Sequence, residues 1–392
     1  MKIDYFCRKP NEKYQLSSLF GQASSRQAAH FHQSLPTYQK TPLHSLNALA
    51  KELGVDGIHI KDESFRFGLN AFKGLGAGYA VAVELAKIAG IDTNAIAYQT
   101  IVDALAATKR EKILFATATD GNHGRGLAWA ARIFGQKAAV FMPKGSSVFR
   151  IQAIEKEGAQ VFVIDGNYED AVRAANQYAK KHGGILVQDT AFEGYEEIPK
   201  NIMQGYLTMA DEAFHQLEEK GVKPTHIFAQ AGVGSFAAAV IGYFAQKYQD
   251  NLPRFVVVEP ATVNCIYLSA KAGHKIIVEG DYYTLMAGLS CGDPNHIALD
   301  LLLNTATDFL AVDDEAAVLG MRTLAKAKES DPVIVSGESG AGALGAVRVI
   351  LEKPEFASIK KALSFDSHSQ LLFFSTEGDT DPENYQKIIK DK

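Results

Sequence analysis

The stretch FATATDGNHGRGLAWAA, residues 115–131, decides how this chain folds. Its first letters complete an apolar, β-rich run, Ile113–Ala118, and its last letters have the pattern of a helix that begins near Asn122. A buried strand followed at once by a helix is the repeating unit of an α/β fold. Asp120 lies in the turn between them, where an aspartate either caps the helix or faces a ligand.

The order of strand and helix repeats along the chain. Apolar runs alternating with helices predict βαβ units and mostly parallel sheets. The segment 262–306 has no clear periodicity, and its Asn, Gly, Asp and Tyr content is typical of loops over an active site. We predict strands at 137–143, 160–165, 184–190, 225–230, 254–260, 309–313, 332–336 and 371–376, with helices at 148–157 and 168–182.

Length and composition limit the classes of protein to consider. The chain has 392 residues, 47% of them hydrophobic, which is enough for two domains or one large α/β unit. A net charge of −5 favours neither nucleic acid nor an anionic membrane as a partner. No apolar run approaches the roughly 20 residues of a membrane helix, and the N-terminus lacks the apolar region of a secretory signal.

The cysteines indicate a reducing compartment. Cys7, Cys265 and Cys291 form no CxxC motif and are too few for a disulfide framework. We therefore expect a cytoplasmic, mostly reduced protein. A bridge between Cys265 and Cys291 stays open, because both lie in predicted loops of one segment.

A lysine with an unusual setting lies in SFRFGLNAFKGLGAGYAVA, residues 64–82. Lys73 follows Phe72 and precedes a glycine-rich helix start, where small residues allow close backbone approach. A desolvated lysine has a lowered pKa and can attack an aldehyde as a free amine. A surface lysine at a helix N-terminus is the alternative interpretation.

A glycine-rich turn lies in QAGVGSFAAAV, residues 230–240, between the predicted strand 225–230 and a helix. The N–H groups and the dipole of a helix N-terminus bind anions, and Ser235 can add a hydroxyl donor. The turn is neither a P-loop nor a complete dinucleotide fingerprint, so a single phosphate is the better match. A plain tight turn would need the same glycines.

Three further motifs carry polar groups. Asn122 and the turn before it could hold a hydroxyl or a carboxylate. Ser375 and Thr376 end the predicted strand 371–376, in FFSTEGDTD, where a hydroxyl can meet a ring nitrogen without protonating it. Glu338, in GESGAGALGAV, could face the substrate or could simply begin a close-packed helix.

One ligand would satisfy these motifs together. In open α/β sheets, ligands bind outside the carboxyl ends of the strands, and all of the first four motifs except the lysine follow such an end. The ligand would carry an aldehyde, a phosphate, a hydroxyl and a ring nitrogen. Pyridoxal 5′-phosphate has all four.

The order of the motifs resembles the fold-type II pyridoxal-phosphate enzymes, which include threonine dehydratase, serine racemase and the β subunit of tryptophan synthase. The similarity runs from about residue 40 to residue 380. It implies an α/β fold of two domains, each with a mostly parallel sheet flanked by helices. It also implies Lys73 as the Schiff-base lysine and a set of cofactor contacts: Phe72 at the ring, Asn122 at the 3′ oxygen, Gly232, Val233, Gly234 and Ser235 at the phosphate, and Ser375, or as second choice Thr376, at the pyridine nitrogen.

Asp120 stands where most members of that group carry Ser or Thr. With SFRFGLNAFKGLG and ATDGNHGRGLAWAA, it resembles the diaminopropionate ammonia-lyases, carbon–nitrogen lyases that convert D- and L-2,3-diaminopropionate to pyruvate and ammonia. The resemblance implies Asp120 as the base for the α proton of the D isomer and Asp189, in LVQDTAF, as the base for the L isomer. A serine or threonine dehydratase on the same fold is the alternative.

The resemblance also implies a domain plan and an assembly. Residues 1–85 and 194–392 would form a large cofactor-binding domain, and residues 86–193 a small inserted domain. We expect a homodimer that binds a small amino acid and takes no metal ion, nucleic acid or membrane as a partner.

Overall fold

A computed structural model describes residues 1–108, 110–119, 121–166, 168–249, 251–280, 283–326 and 328–390. Within them the strands, in chain order, are β1 Ile3–Cys7, β2 Leu43–Ser45, β3 Gly57–Asp62, β4 Leu114–Ala118, β5 Lys137–Pro143, β6 Gln160–Ile164, β7 Ile185–Leu186, β8 His226–Gln230, β9 Arg254–Pro260, β10 Asp308–Val312 and β11 Gln370–Ser375.

The helices lie between these strands, as the alternating pattern of the sequence predicts. They are α1 Gln22–Gln33, α2 Asn47–Leu53, α3 Lys73–Ala89, α4 Tyr98–Thr108, α5 Asn122–Ile133, α6 Val148–Lys156, α7 Tyr168–Lys181, α8 Glu197–Glu219, α9 Ser235–Tyr248, α10 Cys265–Ala272, α11 His296–Thr305, α12 Asp314–Ala325, α13 Glu338–Glu352, α14 Ala357–Ala362 and α15 Pro382–Lys390.

The chain divides into two compact units. The first comprises residues 1–21, 40–65 and 209–392, and the second comprises residues 22–39 and 66–208. The inserted domain predicted at 86–193 lies inside the second unit, which also takes in residues 66–85, with Lys73 and the start of α3. The predicted domain plan stays a prediction.

The sheet of the first unit contains, among the described residues, seven strands in the order β1-β10-β9-β8-β11-β3-β2. The pairs from β10 to β3 are parallel, and the two edge strands, β1 and β2, are antiparallel to their neighbours. Buried strands of this kind need helices on both faces, which explains their apolar runs. Phe228, Val256 and Phe373 from three of the strands lie in one core with α12 and α13.

The second unit contains, in its described part, a four-stranded parallel sheet in the order β6-β5-β4-β7. The helix α7 packs on it through three alanines at a spacing of four residues: Ala171, Ala175 and Ala179. Phe141 and Leu186 complete that core. The architecture confirms the predicted fold class.

Most predicted strands and both predicted helices are confirmed within one or two residues at either end. The strand predicted at 184–190 is wrong beyond Leu186, because the amide of Gln188 donates to the Tyr195 hydroxyl at 2.7 Å instead of continuing the ladder. The strand predicted at 332–336 is also wrong. Pro332 lacks an N–H, and Ile334 bonds to the end of α12 through the carbonyl of Leu324. The segment 262–306 holds two helices, α10 and α11, as well as loops.

Candidate active site

The lysine motif begins the helix α3 in the second unit. Lys73 is its first residue, and Phe72, which precedes it, is buried. The glycines after Lys73 serve packing, because a Cβ at Gly74 or Gly78 would meet the ring of Trp129 on α5 at 3.7 or 3.1 Å. On α5, a Cβ at Gly126 would lie 3.0 Å from the carbonyl carbon of Lys73. The two helices therefore place the backbone of Lys73 tightly.

The amine of Lys73 forms an ion pair inside this unit. Its Nζ donates to Oδ2 of Asp189 at 2.5 Å and lies 5.3 Å from the ring centre of Phe72 and 5.9 Å from that of Tyr206. The Lys73 side chain is 17% exposed, so it is neither a surface lysine nor fully enclosed. The structure thus brings together two residues that lie 116 positions apart, both predicted to be catalytic.

Asp189 is held in its charged form. Burial alone would raise the pKa of its carboxyl, but the ammonium of Lys73, by its charge and its hydrogen bond, outweighs burial and the pKa is lowered to about 2. The segment around it is anchored by side chains. Gln188 accepts from the amide of Ala118 at 3.0 Å, and the Tyr195 hydroxyl donates to the carbonyl of Leu186 at 2.9 Å.

The turn before α5 is capped by a hydroxyl that sequence reasoning missed. Thr119 Oγ1 accepts from the amides of Gly121 at 3.0 Å and Gly124 at 3.2 Å. Gly121 has a φ of 152°, which favours glycine. Asn122 is the first residue of α5. Asp120, the predicted base, lies outside the described residues.

His123 is the other site residue that sequence reasoning left out. It is buried, and its Nε2 lies 2.8 Å from the carbonyl oxygen of Val187. Its Nδ1 lies 4.0 Å from Oδ2 of Asp189 and has no hydrogen-bond partner in the described part of the chain. Burial lowers the pKa of the His123 imidazole more strongly than Asp189 raises it, so the ring is neutral at pH 7.

The glycine-rich turn joins β8 to α9 in the first unit, as predicted. Gly234 has a φ of 94° and precedes Ser235, the first residue of the helix. A Cβ at Gly232 would lie 3.1 Å from the Cα of Leu289, so only glycine fits there. Asn295 supports the turn with two hydrogen bonds. Its side-chain Nδ2 donates to the Ser235 hydroxyl at 2.9 Å, and its backbone N–H donates to the carbonyl of Val233 at 2.9 Å.

The two predicted hydroxyl residues lie at the end of β11, in the same unit. Both are buried, and Ser375 Oγ donates to Ser336 Oγ at 2.9 Å. Gln230, the last residue of β8, donates to Thr376 Oγ1 at 3.0 Å and so ties this strand end to the glycine-rich turn. A Cβ at Gly340 would lie 2.7 Å from the Ser336 hydroxyl.

Each unit, taken by itself, offers groups of a kind that pyridoxal phosphate requires. The glycine-rich turn brings backbone, without a side chain at positions 232 and 234, to the N-terminus of α9, as a phosphate group requires. Lys73 offers a half-buried amine that is held by Asp189. The end of β11 offers neutral hydroxyls for a ring nitrogen.

Glu338 and Cys265 have structural partners. Glu338 begins α13, is buried, and accepts from Nδ2 of Asn384 at 2.5 Å. None of the three cysteines forms a disulfide, and Cys265 Sγ donates to the carbonyl of Cys291 at 3.4 Å. The bridge that the sequence left open is absent from the structure.

Two searches of the described residues found nothing. No helix there is long and apolar enough to cross a membrane. No group of three or more His, Cys, Asp or Glu side chains in that part of the chain could hold a metal ion.

Comparisons with known proteins agree with one another. The sequence pattern of the family described as pyridoxal-phosphate dependent enzyme matches residues 35–362. The chain is 46% identical over 373 residues to the diaminopropionate ammonia-lyase of Escherichia coli (strain K12), covering 95% of this chain and 93% of that protein. It is 47% identical to the enzyme of that name from Salmonella typhimurium, over 92% and 90% of the two chains.

A solved structure agrees with the sequence comparisons. The E. coli diaminopropionate ammonia-lyase in complex with an aminoacrylate-PLP azomethine reaction intermediate superposes with a TM-score of 0.92 and 44% identity. The match covers 99% of this chain and 97% of that one.

Proposed function

We propose a function from one premise: the chain belongs to the pyridoxal-phosphate dependent enzymes and, within them, to the diaminopropionate ammonia-lyases. It is a carbon–nitrogen lyase that uses pyridoxal phosphate to convert 2,3-diaminopropionate to pyruvate and ammonia by α,β-elimination. The observation that carries this function is the ion pair of Lys73 and Asp189, an amine and a buried carboxylate held 2.5 Å apart.

Lys73 is the residue that we assign to covalent attachment of the cofactor. When bound, pyridoxal phosphate supplies an aldehyde for amines and a ring that accepts electrons from the α carbon of the substrate. The packing of Gly126 against the backbone of Lys73 limits where the amine can move. Phe72 and Tyr206 keep water from two sides of it.

The other cofactor contacts follow from the two strand ends and from α5. We assign the phosphate to the backbone of Gly232, Val233 and Gly234 and to Ser235, at the start of α9. We assign the ring nitrogen to Ser375, with Thr376 as second choice, and the 3′ oxygen to Asn122. A neutral hydroxyl leaves the ring nitrogen largely unprotonated and limits the electron sink, which suits an elimination in which the carbanion is short-lived.

Two carboxylates would remove the α proton. We assign Asp189 to the L isomer, because its depressed pKa keeps it ionised at any physiological pH, and Asp120 to the D isomer. A carboxylate also attracts the second ammonium group of a diamino acid, which serine and threonine lack. That difference favours 2,3-diaminopropionate over a hydroxy amino acid.

The first experiment measures pyruvate release from each enantiomer. Asp120→Asn should lose most turnover of D-diaminopropionate, and Asp189→Asn most turnover of the L isomer, each by roughly 10²- to 10⁴-fold, because each loses one base. Both variants should keep the absorbance of bound cofactor. Unchanged D turnover in the first variant would overturn the assignment of Asp120.

The alternative is a serine or threonine dehydratase. It would use the same lysine and the same phosphate turn, and it would release hydroxide in place of an amine. Comparing ammonia and pyruvate release from diaminopropionate, serine and threonine at equal concentrations separates the two. Faster release from serine or threonine would favour the dehydratase.

Assembly, location and domain plan complete the proposal. We propose a cytoplasmic homodimer, because fold-type II enzymes are commonly dimers and because three cysteines without a CxxC motif are typical of a reducing compartment. We also keep the plan of a large domain, 1–85 and 194–392, with residues 86–193 inserted. Light scattering of the purified enzyme measures the assembly, and a mass near twice 42.5 kDa would support the dimer.

A further inference from the structure

The structure describes four buried histidines, and one of them differs from the rest. In three, both ring nitrogens have partners. His32 meets Thr208 and the carbonyl of Leu75, His59 meets Ser45 and Gln370, and His226 meets Thr225 and the carbonyl of Leu363, all within 2.7–3.1 Å. Only His123, among these four, has a buried ring nitrogen without a partner, its Nδ1. A buried acceptor without a partner is unfavourable, so its presence requires an explanation.

The contact with Val187 determines the tautomer of His123. A carbonyl oxygen only accepts, so Nε2 carries the proton and donates it at 2.8 Å. In the neutral ring Nδ1 is then a lone pair. It lies 4.0 Å from Asp189 Oδ2, the same oxygen that accepts from Lys73.

Two acceptors therefore lie near each other with no proton between them. Nδ1 and the ionised Oδ2 each accept, and their separation is about 1 Å longer than a hydrogen bond. A proton on Oδ2 would turn that contact into a donor and acceptor pair. Such a proton is what the elimination delivers to Asp189 under the proposed function.

We propose that His123 is a positioning residue that acts through Asp189, by sharing at Nδ1 the proton that Oδ2 takes up. This inference rests on the proposed role of Asp189. The proton passes from Oδ2 to Nδ1, leaving a carboxylate beside an imidazolium. It then returns to Oδ2, and from there passes to the β-amino nitrogen as the Cβ–N bond breaks, so that the group leaves as ammonia and Asp189 is again a carboxylate.

The surroundings of His123 suit a transient proton. Among the described residues, the titratable groups that act on the ring are Asp189, which favours the charged form, and Lys73, which opposes it. Burial also opposes the charged form. The imidazolium is thus stabilised by Asp189 and by the hydrogen bond to the carbonyl of Val187, against burial and Lys73, so the proton returns readily.

The test replaces His123 while keeping its structural tether. His123→Gln retains an amide N–H near the position of Nε2, which can still donate to Val187, but it offers no titratable atom toward Asp189. His32→Gln is the matched control, since His32 is equally buried with both nitrogens paired. Thermal midpoints of the two variants measure the structural cost of each change.

The expected result concerns the L isomer and its pH profile. His123→Gln should lower kcat for L-diaminopropionate about 10-fold or more, with little change in KM, and should alter the acidic limb of the kcat profile. D turnover and the control variant should change less than about 3-fold. Equal L and D effects, or an unchanged pH profile, would overturn the inference and leave a purely structural tether.

A second measurement needs neither turnover nor cofactor. In the apoprotein, ¹⁵N NMR follows the titration of the His123 ring in wild type and in Asp189→Asn. Loss of the carboxylate should move the titration midpoint of the ring to lower pH. An unchanged midpoint would overturn the inference, even if pyruvate release from diaminopropionate confirmed the proposed function.

Discussion

Among the described residues, two lysines form short ion pairs with buried carboxylates, and one of these pairs belongs to the candidate site. In the first unit, Lys61 is fully buried and donates to Glu212 at 2.7 Å, to the carbonyl of Thr41 at 2.8 Å and to Gln216 at 2.9 Å. These three acceptors match the three protons of an ammonium group. In the second unit, Lys73 is 17% exposed, pairs with Asp189 and lies against two aromatic rings.

The difference separates a structural charge from a reactive one. Lys61 has its charge satisfied on every side by polar groups of the fold, so it gains nothing by leaving them. The side chain of Lys73 is partly exposed, so a ligand can reach its amine and replace Asp189 as its partner at a lower cost in free energy. A buried ion pair alone is therefore weak evidence of function, and the exposure of the lysine is the better guide.

Removing Lys73 should produce the largest effect on activity. Lys73→Ala should lower pyruvate release by at least about 10⁴-fold, because the covalent attachment of the cofactor is lost. Borohydride trapping should leave no cofactor bound to the chain. If borohydride still fixed the cofactor to the Lys73→Ala chain, another lysine would be the attachment site. Lys61→Ala serves as the control variant.

Removing Lys61 should affect stability instead. Lys61→Met should lower the free energy of unfolding by about 3–5 kcal/mol, because Glu212 stays buried without its ammonium. Urea unfolding measures the loss, and kcat of the folded fraction should stay near wild type. The double variant with Glu212→Leu should recover part of the loss; a further loss of similar size would contradict this account.

Low pH should weaken the ion pair of Lys73 and Asp189, with a smaller effect on the free energy of unfolding than the loss of Lys61. The pKa of Asp189 is lowered to about 2, so its pairing stabilises the folded state above its ordinary pKa near 4. That contribution, about 2 kcal/mol, is lost as pH falls from about 4 to about 2. In the apoprotein, the stability difference between wild type and Asp189→Asn should shrink over that range. A constant difference would show that Asp189 contributes through packing alone.

The parts of the site that could be predicted from sequence are those with a local signature. Gly234 has a left-handed backbone that favours glycine, a side chain at Gly232 would crowd Leu289, and Lys73 lies beside the glycines that let α3 pack on α5. Ser375 ends an apolar strand and Thr376 follows it, and the end of such a strand is easy to locate. Each of these signals lies within about ten residues of the position that it marks.

The parts that could not be predicted depend on distant contacts. His123 meets Val187 across 64 positions, and Gln188 meets Ala118 across 70. Neither partner is visible from the sequence around the other. Two other differences are local. The sequence predicts Asp120 as a cap or a catalyst, and the hydroxyl of Thr119 accepts from two amides of that turn. The strand predicted at 184–190 is wrong beyond Leu186, because the Tyr195 hydroxyl accepts from the backbone N–H of Gln188.

The position of β11 has a consequence for synthesis of the chain. This strand, Gln370–Ser375, is the last in sequence, yet it lies between β8 and β3 in the sheet of the first unit. Until the ribosome releases it, β8 and β3 present two unpaired interior edges, which are prone to aggregation. The second unit ends at residue 208 and has all of its segments much earlier. A premature stop shortly before residue 370 should therefore leave a chain with one complete unit and one sheet open at its centre.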